Sequence, residues 1–308
     1  CVGPYHPVEV YGRVNVGGTK NVIDACRKHG VPKLVYSSSP STRFTWDARD
    51  VDGVTEDDMP SLPQKAYVQD YAKTKAEGEL LVREACCDSL LTISVAPHQV
   101  YGPRDNLFLP NMLEVAGNGK LRVFGPGHNR ICFTYVDNYC HALILGEKAL
   151  YKGSPALGKF YISTDGDTHP DPQGCCEFWP EMDKVIVSLG FASIAAKFHY
   201  PSWLMLLAGW VCDVVGSLVG KKFKLSHFAV RMLLMHRWFK IDAIKRDLGY
   251  EPLVGFQEGW ADTVGWFRQY WLPTLSESAG GLTGDVARQT QRKIDIQTSS
   301  ALGSDKRD

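Results

Sequence analysis

Tyr71 and Lys75 stand four positions apart in the stretch VQDYAKTKAEGELL, residues 68–81. Residues at i and i+4 share one helix face, so the ammonium can sit beside the phenol. An opposite charge within a few ångströms draws a phenol's pKa down from near 10. A base for an alcohol proton requires that shift. The spacing alone is weak, because 13 tyrosines in 308 residues yield about one such pair by chance, and a tyrosine and lysine on a solvated face is its ordinary meaning. Ser37, Ser38 and Ser39 change the weighting. They end the run KLVYSSS just before the pair, where a serine hydroxyl can share the substrate oxygen with the tyrosine and orient it.

The elements that must hold these groups follow from periodicity. Residues 8–29 place Val10, Val14, Val22, Ile23 and Cys26 at mostly helical spacing, and Gly30 follows as a helix C-cap. Residues 33–39 read as a strand stopped by Pro40, residues 47–65 as a polar loop, and residues 67–87 as the helix carrying the pair. LLTISVA, residues 90–96, reads as a strand buried on both faces. A helix at 108–117, a turn at GPGHN, a strand and helix across 131–150 and a strand at 159–164 continue the alternation. Parallel strands need crossover helices, so the fold class is α/β, a Rossmann-like doubly wound parallel sheet. Helix signals at 178–190, 203–219, 226–238, 240–248 and 256–271 predict a smaller, mostly helical substrate lobe. The expected division is 1–165, 166–275 and a polar tail, 276–308, whose composition predicts disorder.

Composition removes several classes of function. Equal numbers of acidic and basic residues, without a long basic block, argue against a nucleic-acid partner. Nine cysteines with no C-x-x-C argue against a zinc site or a disulfide framework and read as free thiols in a reducing compartment. The run YPSWLMLLAGWVCDVVGSLVGKKFK, residues 200–224, is the longest apolar segment, and about 20 residues just cross a hydrocarbon core. Asp213 opposes a simple span, since a carboxylate at mid-bilayer costs roughly 3 kcal/mol. Trp203, Trp210 and the cluster Lys221, Lys222, Lys224 suit a helix lying in a membrane interface. The alternative reading is a core helix of the substrate lobe.

A serine strand end, a Y-x-x-x-K helix and then a buried strand ending in a Pro-Gly turn together resemble an extended short-chain dehydrogenase/reductase. Within that family the chain is similar to the 3β-hydroxysteroid dehydrogenase group, particularly its branch acting on sterol 4α-carboxylates. The residues carrying the resemblance are VNVGGTKNVIDACRKHGVPKLVYSSSPS, DYAKTKAEGELL, APHQVYGPRDNLFLPNMLEVAGNGK, NRICFTYVDNYCHALILGEKAL and ALGKFYIST, followed by AIKRDLGYEPLVGFQEGWADTVGWF. They span roughly residues 1–273, and their occurrence in order is far more specific than any one of them.

The resemblance implies oxidation of a sterol or steroid 3β-hydroxyl to a ketone, with loss of a 4α-carboxylate where one is present. It assigns Tyr71 as proton acceptor, Lys75 as the ribose-binding residue that lowers the phenol's pKa, and Ser39 as the substrate-positioning serine, with Ser38 as substitute. Asn15 matches the cofactor-side asparagine, and Pro97 and Val100 fall where backbone approaches the nicotinamide. The implied cofactor is NAD, with NADP the alternative, and no metal is implied. The implied location is intracellular, on the cytoplasmic face of the endoplasmic reticulum or a lipid droplet, with membrane association through 203–219. The oligomeric state is left open. Two departures stand out. The usual Arg-Pro of the strand end is Ala96-Pro97, and no strand leads into G-x-x-G-x-x-G. The family pattern places Cys1 near the end of the fourth sheet strand, so the reading expects an incomplete dinucleotide-binding domain lacking its first strands. Two other functions fit: a non-catalytic relative of these enzymes, and an epimerase or dehydratase of nucleotide-sugars.

Overall fold

The computed structural model describes residues 6–44, 50–220, 223 and 225–274. The lysine cluster Lys221, Lys222, Lys224 and the tail 276–308 lie outside the described residues, as do the first five positions. The chain enters through α1 (Val8–Tyr11), a π-helical segment (Gly12–Gly17) and α2 (Gly18–His29), which run on as one helix. Gly30 ends it in the left-handed conformation, φ 64°, where only glycine is unstrained. There follow β1 (Lys33–Ser37), β2 (Val51–Val54), α3 (Asp70–Glu84), β3 (Leu91–Pro97), β4 (Val100–Tyr101) and α4 (Leu109–Gly117). Then come β5 (Arg130–Ile131), β6 (Thr134–Tyr135), α5 (Val136–Lys148), β7 (Phe160–Ser163) and β8 (Cys176–Glu177). The rest is α6 (Phe178–Ser188), α7 (Ser202–Val219), α8 (His227–Leu234), β9 (Arg237–Phe239), α9 (Asp242–Leu248) and α10 (Phe256–Trp266).

β1, β3 and β7 form a parallel sheet in that spatial order, with Val35 opposite Ile93 and Val95 opposite Tyr161. Both faces are covered, as a parallel sheet requires. Ile23, Cys26, Val82 and Leu90 pack between α2, α3 and one face, while Ala142, Ile244 and Leu248 close the other with Ile93 and Val95. The expected doubly wound layer is therefore present. A second sheet, in the order β2-β9-β5-β8, joins residues from both ends of the chain. β2 lies inside the loop expected at 47–65, and β9 replaces the end of the helix expected over 226–238. Strands this short take their stability from a distant partner rather than from local period.

The C-terminal region shares a core with the N-terminal one, combining Trp179, Trp260, Trp271 and Phe256 with Phe133 and Tyr101, and Tyr101 stacks on Trp260 at 4.3 Å. α7 does not enter that core. Only Met205, Gly209 and Gly216 of its 18 residues are buried. Gly209 lets it lie against the start of α8, since a Cβ there would fall 2.8 Å from the His227 nitrogen. Trp203, Trp210 and Leu218 face outward, 68%, 56% and 81% exposed. The core-helix alternative for 203–219 is therefore corrected: it packs on α8 along one side, while most of its apolar residues are exposed.

Candidate active site

The sheet brings the carboxyl ends of β1 and β3 together against the first turns of α3, and the sequence-selected residues meet there. Ser38 N donates to Val95 O at 2.8 Å, which carries the pairing one residue past β1. Pro40 then starts a short 3-10 turn over Pro40–Arg43, in which Ser41 N donates to the Ser39 hydroxyl at 3.3 Å. Tyr71 sits on the first turn of α3 with its ring edge against Tyr11, centroids 6.1 Å apart.

The three serines separate by partner. Ser37 Oγ accepts from the Tyr139 hydroxyl at 2.6 Å. Ser38 Oγ is buried and donates to Glu79 Oε2 at 2.6 Å. Ser39 Oγ lies 2.9 Å from Ser41 Oγ; burial raises the Tyr71 pKa, and the Ser39 side chain pulls it back toward the phenolate. Ser38 is thus committed to Glu79, while Ser39 borders the same two cavities as Tyr71.

Lys75 does not hydrogen-bond Tyr71. Its Nζ donates to the Ser37 carbonyl and lies over the Tyr36 ring, 4.3 Å from the centroid. Burial lowers the Lys75 pKa to about 8 against the opposing pull of Glu79. Expected charge stabilisation of the phenolate is thus not the dominant influence on Tyr71 in this arrangement. Asn15 lies on the π-helical segment, a deformation frequent at functional sites, and its Nδ2 donates to Thr74 Oγ1 at 3.2 Å. Gly78 permits this approach, because a Cβ there would lie 3.0 Å from Asn15 O and 2.5 Å from the Tyr36 hydroxyl.

Two cavities meet at this point. One, of about 550 Å³, is lined by Asn15, Ser37, Tyr71, Lys75, Pro97 and Val100, among others. The other, of about 820 Å³, runs from Ser39 and Tyr71 between α7 and α8 to Arg237. Ser39, Tyr71, Pro97, Gln99, Leu107 and Phe108 border both. Every sequence-selected residue lines one cavity or the other. The smaller one offers an ammonium, an amide and hydroxyls, a donor set that fits the ribose and carboxamide end of a nicotinamide nucleotide. Among the described residues, no strand-to-helix glycine loop presents backbone N–H groups to a pyrophosphate, so the fit is to that end of the nucleotide.

Several residues that build the site carried no signal in the sequence. Arg43 grips Glu79 with both nitrogens, at 2.5 and 3.0 Å, and lies 3.4 Å over the Phe160 ring. This buried pair clamps the turn after Ser39 onto α3. Gln99 borders both cavities in a left-handed conformation, φ 45°, unusual for a residue with a side chain. His98, Cys132 and Arg237 form a buried cluster behind it.

The family profile described as "3-beta hydroxysteroid dehydrogenase/isomerase family" matches residues 2–182. The chain is 35% identical over 262 residues to "3beta-hydroxysteroid-dehydrogenase/decarboxylase isoform 1" of Arabidopsis thaliana, covering 82% of this chain and 56% of that protein. It therefore spans little more than half that relative's length. It is 32% identical over 268 residues to the Homo sapiens "Sterol-4-alpha-carboxylate 3-dehydrogenase, decarboxylating", covering 84% and 68% of the two chains. It is also 30% identical over 259 residues to "2-alkyl-3-oxoalkanoate reductase" of Stenotrophomonas maltophilia, covering 83% and 75%. Among solved structures, one titled "MoeE5 in complex with UDP-glucose and NAD" superposes with a TM-score of 0.58 at 20% identity, over 84% of this chain and 73% of that one. That likeness shows the shared Rossmann-like fold.

Proposed function

Because the chain belongs to the 3-beta hydroxysteroid dehydrogenase/isomerase family, we propose that it carries the catalytic centre for NAD-dependent oxidation of a sterol 3β-hydroxyl. The substrate bears a 4α-carboxylate, which is lost. One observation supports this most: the Tyr71 and Ser39 side chains border both a polar cavity holding Lys75 and Asn15 and a larger, mostly apolar one. NAD, held by Asn15 and Lys75 in the polar cavity, would supply the hydride acceptor for C3 of the substrate. Tyr71 accepts the hydroxyl proton, and Ser39 holds the same oxygen and fixes its direction. Lys75, on the cofactor side, is an ammonium below about pH 8 and favours the phenolate that proton acceptance needs. Pro97 and Val100 line the polar cavity and would form the wall beside the nicotinamide. The ketone formed at C3 stands β to the carboxylate, so it takes up the electrons of the C–C bond as carbon dioxide leaves.

The lining of the larger cavity by Phe44, Phe178, Met232 and Leu233 favours a lipid over a nucleotide-sugar. The outward face of α7 supports membrane association, with Trp203, Trp210 and Leu218 buried among lipid headgroups and acyl chains. A helix of 18 residues is about 27 Å long and has one side fixed on α8, so it lies along the surface rather than crossing it. The same reading puts the protein on the cytoplasmic face of the endoplasmic reticulum or a lipid droplet, with 166–275 serving as the substrate lobe. The test is incubation of the protein with NAD and a 4α-carboxy-3β-hydroxysterol, followed by mass spectrometry of the sterol. Formation of the decarboxylated 3-ketone is expected; turnover of a UDP-sugar with the sterol untouched would reverse the choice.

A further inference from the structure

Arg237 is the first residue of β9 and lines the larger cavity together with Tyr71 and His98. Its Nε donates to the Met232 carbonyl at 3.1 Å, and its Nη1 lies 3.3 Å from His98 Nε2. Among the described residues, no carboxylate lies within ion-pair range of it. Arg43 and Arg130, by contrast, bind Glu79 and Asp52. His98 cannot serve as a counter-ion. Its Nδ1 lies 2.8 Å from the Cys132 carbonyl and must carry the proton there, which leaves Nε2 as a neutral acceptor for the guanidinium. Burial and the Arg237 charge keep the ring neutral, with its pKa lowered to about 3. The acid group bordering the cavity, Asp213, is on α7 and accepts from the His227 backbone.

A cation held in an apolar wall by neutral acceptors alone is costly unless an anion comes to it. The names of the two kinds of relative contain such an anion in equivalent positions. A sterol 4α-carboxylate oxidised at C3 and a 2-alkyl-3-oxoalkanoate each carry the carboxylate on the carbon next to the reacting C–O carbon. That carboxylate must enter the cavity with the reacting oxygen. His98 directly follows Pro97, which borders both cavities, and Arg237 lines the same larger cavity as Tyr71.

Resting on the acid-substrate reading above, we infer that Arg237 is the receptor for the substrate carboxylate, with His98 as the residue that positions it. The site selects 3-hydroxy or 3-oxo acids over neutral alcohols of the same skeleton. A guanidinium can meet both carboxylate oxygens at once, which a lysine cannot.

The test is equilibrium binding to the 308-residue chain, using a 4α-carboxy-3β-hydroxysterol and its 4α-methyl counterpart, with thermal unfolding of each variant measured in parallel. Wild type is expected to prefer the acid. Arg237→Gln should weaken acid binding about 10- to 100-fold while the 4α-methyl sterol stays within about twofold. Arg237→Lys should keep part of the preference and His98→Phe should lose part. An acid preference that survives Arg237→Gln, equal losses for both ligands in Arg237→Gln and Arg237→Lys, or a wild type with no acid preference each overturns the role of Arg237 and leaves the sterol reading standing. A wild type that ignores both sterols yet binds a 2-alkyl-3-oxo acid through Arg237 overturns the sterol and keeps the receptor. Binding of none of these ligands overturns both.

Discussion

Arg43 lies in the turn after Ser39 and Arg237 lines the cavity that Tyr71 borders, and the two are built in opposite ways. Arg43 meets Glu79 through two nitrogens, lies on Phe160, and so closes its charge within the protein. Arg237 meets a carbonyl and a neutral imidazole and keeps its charge open toward a cavity. The difference teaches how to separate scaffold from receptor among buried cations: the partner decides. Where the partner is a carboxylate, removing either side leaves a stranded charge; where the partners are neutral, the stranded charge is already present.

The largest effect that bears on this division is at Tyr71, which borders the cavity that Arg237 lines. Tyr71→Phe removes the proton acceptor and leaves both cavities and both cations in place. Turnover is expected to fall by about 100- to 10,000-fold, the range for loss of a positioned acid or base, with sterol binding nearly unchanged. Steady-state kinetics alongside direct sterol binding measure the two parts, and turnover near wild type would remove Tyr71 from the chemistry.

Stability distinguishes the arginines themselves. Arg43→Ala or Glu79→Ala strands a buried charge and should cost about 3–5 kcal/mol in chemical denaturation, whereas Arg43→Met with Glu79→Leu should recover most of that loss. Arg237→Gln removes a charge that had no counter-ion and should change stability by about 1 kcal/mol or less. Equal losses at the two arginines would erase the distinction.

How much of this could be read from the chain depends on how far each interaction reaches. The Rossmann-like alternation, the helix carrying Tyr71 and Lys75, and the strand ending in serines are local patterns, and all appear where periodicity placed them. The family pattern put Asn15, Pro97 and Val100 on one cavity wall. Choosing among three consecutive serines needed their partners, since Ser38 is spoken for by Glu79, 41 residues away. β2 and β9 pair across a separation of 186 residues, Val51 with Arg237, and nothing in either segment's period reveals the other. Arg237 was invisible for the same reason, because its meaning lies in the carboxylate it does not have. The apolar run at 203–219 was legible in composition, while its outward orientation was not, since lipid-facing and core-facing helices use the same residues.

Acid exposes the open side of the comparison before the closed one. His169 Nε2 accepts from Phe133 N and its Nδ1 faces Gly166 O, so the buried ring is neutral, with its pKa lowered to about 4 by burial. His98 is lowered to about 3. An unfolded chain takes up both protons near pH 6.5 while the native one refuses them, so their stability is full above that pH and drains away as pH falls toward 4. The loss should reach about 3 kcal/mol for each histidine by pH 4. Urea titrations at pH 7, 5.5 and 4 measure it. His169→Asn, which can keep one of the two hydrogen bonds, should be less stable at pH 7 and flatter with pH; an unchanged pH slope would show that the histidines are not its source.

The smallest effect tests how far the open side extends. The cavity holding Arg237 is walled by α7, and the outer face of that helix is apolar without a protein partner among the described residues. If that face rests on lipid, its most exposed leucine sinks into the acyl boundary and contributes in proportion to the apolar area covered. Leu218→Ser removes about that contribution from a side chain that touches little of the protein, so partition onto zwitterionic vesicles should weaken roughly tenfold with thermal stability unchanged. Zwitterionic lipid matters because it leaves the hydrophobic contribution alone and mutes attraction to basic side chains. Co-sedimentation with such vesicles separates the outcomes: a tenfold loss places the cavity mouth at the membrane, where a sterol would enter, and undiminished sedimentation assigns the exposed face of α7 to some other contact.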